Sequence, residues 1–405
     1  MNPRRPLKIL MLVSSYPRSE EDSASIFLRY LADNLSQRYI NIHVLAPSDS
    51  KGETHIEDNV TIHRFQYFPT FLQQLAYGSG ILPNLRHRPW LWIQVPFFLV
   101  SMAYSLLHIV RKERPDLIHV HWVLPQGMLA MLAKSFFKIP IIITTHGSDA
   151  FALRGRFMQL LKRLVLSKSD AWTANTQATA VAIGDATSLP KPHIIPMGVD
   201  VDRFSRGQRA SLRHELPENE LLILFVGRLV ESKGIHDLLK AFSLISPEMH
   251  ARTTLWIVGD GEYRPRLEQD AKALGIGDKT RFWGQVSNHL LPNFYAAADL
   301  FVLPSVEAAG GDSEGQGVVL LEAFAARACV VATRVGGITE VVEDGHRGVL
   351  VESRRPEQLA AAIEKLLNNE ELRLQLAENA FDQVKRHYDW RKIAQDFEEL
   401  YWNSI

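Results

Sequence analysis

The stretch Asp299–Arg327, DLFVLPSVEAAGGDSEGQGVVLLEAFAAR, decides how the rest of the chain is read. The apolar run Leu300–Leu303 ends at Pro304, a loop rich in Gly, Ser and acids follows, and from about Gln316 apolar residues recur at helical spacing. That order predicts strand, loop and helix. Glu314 falls in the loop just ahead of the helix. Glu322 falls more than a turn inside it, with its side chain leaning back toward the helix start, so both carboxylates can face one ligand. The opening N–H groups, Gln316 to Val319, have no partners inside a helix and carry partial positive charge, which suits a phosphate or diphosphate. A carboxylate such as Glu322 can accept two hydrogen bonds from a vicinal diol, as on a ribose. The plainer reading makes Glu314 a helix cap and Glu322 a satisfied core acid. Against it, VVLLEAFAA surrounds Glu322 with apolar residues, and a buried carboxylate without a partner is costly.

Upstream, the apolar run Leu221–Val226 leads into GRLVESKG, Gly227–Gly234, and a helix is expected from near Ile235. Arg228 and Lys233 then lie in a strand-to-helix loop where Gly227 and Gly234 permit close backbone approach, and two cations suit a diphosphate. A surface turn with incidental charge is the alternative; the carboxyl edge of a strand favours the phosphate. Trp256–Gly261 and Arg281–Val286 read as strands before the central motif, and Cys329–Thr333 as one after it. The single cysteine, Cys329, excludes an intramolecular disulfide and reads as a buried, inert strand residue. In the following RVGGITEVVEDG, Glu340 reads as either a hydroxyl ligand or a surface acid. From Pro356 the chain is helical and charged, and its last helix, Trp390–Asn403, is expected to cross back onto the first half.

The first half repeats the strand, loop, helix order. Leu7–Val13, a Ser, Pro and acid loop, the amphipathic Ser25–Arg38 and the strand Asn41–Ala46 open a doubly wound α/β domain. Ligands collect at the carboxyl ends of such strands, which puts Ser14, Ser15 and Tyr16 on the binding edge without assigning them chemistry. Trp90–Val110 is apolar over about the length of a membrane span, flanked by Arg86, Arg88, Arg111 and Lys112. Gln94, Pro96 and His108 interrupt it, so a helix packed on the sheet is favoured over a span, with a helix resting on a bilayer surface between the two. Leu117–Trp122, Gln126–Phe137 and Ile139–Thr145 read as strand, helix and buried strand. His146 follows in HGSDA, beside Gly147 and Asp149; an imidazole there can polarise a sugar hydroxyl or hold a leaving group, and on the residues alone a turn-stabilising role is slightly preferred. His119 and His121 alternate along their strand as packing groups, since no metal spacing is present. Arg154–Lys168 is a basic amphipathic helix with Phe157, Leu160, Leu161, Leu164 and Val165 on one side and Arg156, Lys162, Arg163 and Lys168 elsewhere. Such helices lie on anionic lipid or, more often, are ordinary solvated helices. The strands Ala171–Thr173 and His193–Pro196 finish the domain, and the polar Gly198–Glu220 reads as the linker.

At 405 residues the chain exceeds what one core usually supports, so two domains are expected, 1–198 and 199–387, with the terminal helix at about 388–405 returning to the first. Forty-five basic and 45 acidic residues leave no net charge, which gives no case for nucleic acid. The opening MNPRRPLKILMLVSSYP sets basic residues before a short apolar run with no convincing small-residue cleavage site, so a buried first strand and a cytoplasmic location are expected.

With HGSD at His146–Asp149, GRLVESKG at Gly227–Gly234, DLFVLPS at Asp299–Ser305 and EGQGVVLLEA at Glu314–Ala323, in that order, the chain resembles the family 4 glycosyltransferases of GT-B architecture over nearly its whole length. The resemblance implies two Rossmann-like doubly wound α/β domains facing across a cleft, with acceptor mainly on the first and nucleotide sugar mainly on the second. It implies that Arg228 and Lys233 hold the donor diphosphate and stabilise charge on the leaving nucleotide, and that Glu322 binds the ribose hydroxyls. Glu314 then contacts the transferred sugar, and His146 approaches that sugar near the reaction centre. Gly315, Gln316, Gly317 and Val318 fall with the donor-binding set. The family retains anomeric configuration and uses no metal and no cofactor beyond the nucleotide-diphosphate sugar that is its donor substrate. Phosphate departure helped by cations and helix N–H groups is preorganised electrostatics. Glu314 is not assigned as a covalent nucleophile, because the two-carboxylate scheme belongs to glycoside hydrolases. Two positions depart from the pattern: SSYPRSEEDSAS stands where many members carry a Gly-Gly pair, and Gln316 where an aromatic residue or Leu is frequent. The implied activity is transfer of a sugar to a glycan or lipid-linked acceptor in surface polysaccharide or glycolipid synthesis, with peripheral contact at the inner face of the plasma membrane left open. A nucleotide-sugar epimerase or phosphorylase of the same architecture, and a non-catalytic nucleotide-sugar-binding protein, are the alternatives.

Overall fold

The computed structural model describes all residues except 1–4, 20–21, 23–24, 79, 152–154 and 185–188. The chain forms two compact units, Met1–Ile195 with Ile393–Ile405, and Pro196–Lys392. Residues 196–198 and 388–392 therefore group with the second unit, and the chain returns to the first inside its last helix, Trp390–Ser404. Within the first unit that return is held by an Arg38–Glu398 ion pair and by the Tyr401 hydroxyl, 2.8 Å from His119 Nδ1.

Eight strands make the first sheet: β1 Leu7–Leu12, β2 Ile40–Pro47, β3 Glu53–Glu57, β4 Val60–Phe65, β5 Leu117–His121, β6 Ile141–Thr145, β7 Ala171–Ala174 and β8 His193–Ile194. Their order is β3-β4-β2-β1-β5-β6-β7-β8, and only the β3/β4 edge pair is antiparallel. The central strands are continuous apolar runs because helices cover both of their faces. The hairpin at the edge is absent from the sequence expectation. Glu53–Glu57 is polar and mostly exposed, but Asp58 and Asn59 take φ of 48° and 67°, the left-handed pair that a two-residue hairpin turn requires.

Two other expectations change, and the packed-helix reading of Trp90–Val110 acquires its bounds. Tyr16 is buried rather than presented on the sheet edge; its backbone oxygen accepts from Arg64 at 3.0 Å. The segment around Trp90–Val110 is a short turn, Pro89–Ile93, followed by the helix Gln94–Glu113. Among the described residues, Pro89–Glu113 is the one stretch long and apolar enough to cross a membrane, yet Phe98 sits 5.6 Å from the Phe65 ring and 5.2 Å from Tyr67, with Met102 and Leu106 also buried on the sheet. The basic helix runs Arg156–Lys168, Arg154 lying outside the described residues, and its apolar side is split between core and solvent. Lys162, Val165 and Leu166 are buried while Phe157, Leu160 and Leu164 face solvent, because Lys162 reaches inward beside buried Asp149 and donates to the Ala150 carbonyl at 3.3 Å.

The second sheet has six parallel strands: β9 Leu221–Val226, β10 Thr253–Val258, β11 Thr280–Gly284, β12 Leu300–Leu303, β13 Cys329–Thr333 and β14 Val349–Val351. The order is β11-β10-β9-β12-β13-β14. From β9 the chain winds outward through β10 and β11; from β12 it winds the other way through β13 and β14. The reversal lies between β9 and β12, and in such sheets the crevice for a ligand opens at the carboxyl ends of that pair. Cys329 is buried as expected, its thiol pushed up to about 12 by that burial.

Candidate functional site

The loops after β9 and β12 meet at this reversal. Asp299 anchors the start of β12: burial would raise its carboxyl, but Arg209, the Leu222 N–H and Arg213 hold it below the ordinary value. Beyond β12, Val306 N donates to Ser232 O at 2.9 Å, which ties the two loops backbone to backbone. The approach depends on Gly234, whose φ is +63° and where a Cβ would stand 1.9 Å from the Pro304 carbonyl oxygen. A side chain there would force the loops apart.

That approach delivers Lys233 to Glu314. The ammonium lies 2.5 Å from Glu314 Oε2, and Ser305 Oγ donates to the same oxygen at 3.3 Å. Burial would raise the Glu314 carboxyl, but Lys233, Ser305 and Arg228 together hold it low, so it is ionised at neutral pH. One of the three ammonium protons is spent on Glu314, and two remain for another acceptor. The exposed Arg228 guanidinium has no hydrogen-bond partner among the described residues. On the far side Gly337 N donates to Glu314 O at 3.0 Å, fixing the Glu314 backbone against the loop after β13.

The helix begins at Val318, not Gln316. Gly317, at φ 75°, turns the chain into it, so Gly315, Gln316 and Gly317 belong to the approach loop. Gln316 is buried with both ends of its amide engaged: Oε1 accepts from Met197 N at 2.7 Å and Nε2 donates to Met197 O at 3.0 Å. Its side chain is a brace for the segment leading into this unit. Leu320 N is taken by Gly317 O at 2.8 Å, whereas the N–H groups of Val318 and Val319 carry no backbone partner among the described residues.

One turn further, Glu322 Oε2 accepts from the Tyr295 hydroxyl at 2.6 Å. Burial pushes the Glu322 carboxyl up to about 7, against the opposing pull of Tyr295 and of Arg203. Tyr295 and Arg203 were not singled out from sequence: Tyr295 lies on the helix Leu291–Ala297 and Arg203 on Val201–Ser205, both remote in the chain, and neither carries a motif. Glu340 is exposed on the short helix Ile338–Val341.

His146 belongs to the first unit, at the carboxyl end of β6. Its backbone N–H donates to Asp149 Oδ1 at 3.0 Å, and the other Asp149 oxygen takes Val123 N at 3.0 Å, so Asp149 closes the turn. The His146 ring lies 5.0 Å from Phe27 and 5.1 Å from Trp122, with Nε2 2.9 Å from His121 Nδ1. Burial pushes His146 and His119 down to about 3, and His121 well below its ordinary value. All three are neutral at pH 7. His146 Nδ1 has no hydrogen-bond partner among the described residues, which leaves one ring nitrogen for a further polar group.

Comparison with known proteins gives the family. The profile described as Glycosyl transferases group 1 matches residues 208–383, and that of Glycosyltransferase Family 4 matches residues 24–203. The chain is 32% identical over 335 residues to D-inositol 3-phosphate glycosyltransferase 2 of Catenulispora acidiphila, covering 77% of each chain. It is 27% identical over 420 residues, 98% of each chain, to TuaC of Bacillus subtilis (strain 168), named for teichuronic acid biosynthesis. Among solved structures, sucrose-phosphate synthase from Thermosynechococcus elongatus superposes with a TM-score of 0.82 at 23% identity over 98% of each chain. A doubly wound sheet in each unit, the cation-bearing loop at the β9/β12 reversal and these relatives lead to one conclusion: the chain belongs to the family 4 glycosyltransferases of GT-B architecture and is a glycosyltransferase.

Proposed function

We propose that the protein transfers a sugar, with retention and without a metal, from a nucleotide-diphosphate donor to a glycan or lipid-linked acceptor, in the cytoplasm, in surface polysaccharide or glycolipid synthesis. The observation that carries the reading is the arrangement at the β9/β12 reversal: the Arg228 guanidinium without a hydrogen-bond partner among the described residues, Lys233 steadied by Glu314 with two donors to spare, and the N–H groups of Val318 and Val319, without backbone partners among the described residues, opening the helix that bears Glu322. Arg228, Lys233 and those N–H groups are assigned to the diphosphate, the Glu322 carboxylate to the ribose diol, Glu314 to the transferred sugar as well as to Lys233, and neutral His146 to a sugar hydroxyl. When the C1–O bond breaks, its electron pair leaves with the nucleotide, and the acceptor oxygen bonds to C1 as its proton passes to the departing phosphate oxygen. Cations already fixed in place stabilise the charge that develops on the leaving phosphate. The name of the Bacillus subtilis relative supports the polysaccharide setting.

The test is thermal unfolding with UDP, GDP, ADP and their common sugar conjugates. One nucleoside diphosphate and its sugar are expected to raise the midpoint, as any ligand of the folded state does by mass action. No shift with any of them would overturn the donor reading, and release of free nucleotide without an acceptor would point to an epimerase.

A further inference from the structure

We infer that the first unit docks, through the outer face of three adjacent helices, on an anionic phospholipid bilayer. The helices Gln94–Glu113, Met128–Phe137 and Arg156–Lys168 are the crossovers β4 to β5, β5 to β6 and β6 to β7. All three crossovers step the same way along the sheet, and right-handed connections put such helices on one face. They are in contact as neighbours. A Cβ on Gly127 would stand 2.6 Å from Val165 of the third helix, and Lys134 of the second donates to Lys168 O at 3.0 Å.

Each helix is apolar on the side turned away from the sheet. On the first, Ile93, Phe97, Val100 and Tyr104 recur at helical spacing and are all exposed, Val100 at 69%, while Phe98, Met102 and Leu106 fill the inner side. The second exposes Leu132 and, at 69%, Phe136; its inner side is Ala130 and Ala133. The third exposes Phe157, Leu160 and Leu164, Leu160 at 63%. A solvated amphipathic helix turns charges outward, and three neighbours that all do the opposite form one continuous apolar surface.

Charge selects the occupant. The chain as a whole is neutral, yet residues 58–170 hold thirteen Lys and Arg against five Asp and Glu, namely Asp58, Glu113, Asp116, Asp149 and Asp170, the last paired with Lys134. The three helices run parallel to one another, so their carboxyl ends share an edge, and Arg111, Lys112, Lys138 and Lys168 stand along it, all exposed. The one acid within the helices, Glu113, lies beside Lys8 and Lys112. An apolar face with a cationic rim matches acyl chains bordered by anionic headgroups, each Lys or Arg adding to the attraction. A neutral protein partner would leave that rim unmatched.

The test needs neither donor nor acceptor, so it stands apart from the proposed activity. The full chain is floated with phosphatidylcholine vesicles, with and without phosphatidylglycerol, at low and high salt. Binding is expected only with the anionic lipid, and weaker in high salt. Phe136→Glu with Leu160→Glu is expected to lower partitioning more than about tenfold, since each removes an exposed apolar side chain that the bilayer would cover. Lys138→Gln and Lys168→Gln, at exposed sites where folding is not at stake, are expected to cost about fivefold each. Equal binding to neutral and anionic vesicles, unchanged binding of the Gln variants, or a dimer dissolved by the Glu variants in a protein that ignores vesicles would each overturn the inference.

Discussion

The two units keep their functional candidates in opposite electrical states. In the first, His119, His121 and His146 form a desolvated, uncharged series: His119 is held by Thr144, 2.7 Å from its Nε2, and by Tyr401, its ring lies 4.1 Å from that of His121, and His121 hydrogen-bonds His146. In the second, Lys233 and Arg228 keep Glu314 ionised, and Glu322 sits near its own midpoint at neutral pH. Burial removes charge from a group without a counter-ion and preserves it where one stands within reach. A neutral cluster can orient a hydroxyl without moving charge. An ionised one can receive a change in charge, as when a diphosphate leaves.

The sharpest way to break this contrast is Lys233→Ala. It removes the fixed cation and strands Glu314 without the partner that holds its proton off. Turnover is expected to fall by about 10²- to 10³-fold, the usual cost of deleting one preorganised electrostatic group, with weakened donor binding; Lys233→Arg should restore part of it. Steady-state kinetics with the donor identified by thermal shift makes the check. Unchanged kinetics would move the charged half of the comparison elsewhere.

How far this was legible in the sequence depends on whether the signal is local. The strands Leu221–Val226, Leu300–Leu303 and Cys329–Thr333 fall where their apolar runs put them, because a strand buried on both faces is written as a continuous apolar run. Arg228, Lys233 and Glu314 were legible as loop residues at strand ends, and the loops do converge. Tyr295 was not, because its meaning comes from Glu322, 27 residues away and on a different helix. The Gln316 side chain has its partner 119 residues back. The three-helix face was half legible: periodicity finds an apolar stripe but not which way it turns, and on Arg156–Lys168 Lys162 is buried beside Val165 while Phe157, Leu160 and Leu164 of the stripe face solvent.

A smaller effect sharpens the contrast at Glu322. Ribose hydroxyls donate to a carboxylate, so donor binding should strengthen as pH rises through about 7, where the acid ionises. Glu322→Gln keeps the Tyr295 hydrogen bond but loses one acceptor site, and should raise the apparent donor constant about tenfold with the pH dependence flattened. The same variant should raise, not lower, the unfolding midpoint of the ligand-free protein at alkaline pH, because it removes the cost of ionising a desolvated acid. A loss of turnover with normal donor binding would assign Glu322 another role.

The smallest expected effect tests both halves at once. The buried histidines have folded values below the ordinary 6.5, so as pH falls under that value the unfolded chain takes up protons that the folded first unit refuses, and its stability declines. Glu322 is shifted the other way. Between its ordinary 4.5 and about 7, rising pH ionises the unfolded carboxyl more readily than the folded one, and the second unit loses stability over that window. Hydrogen exchange, corrected for intrinsic rates, should therefore show protection of the β5 and β6 amides increasing about three- to tenfold from about pH 5 to about pH 7, while the helix Val318–Ala325 becomes less protected. Parallel changes in the two regions would mean that the neutral and ionised clusters are not independently titrating, and the distinction between them would fail at its physical root.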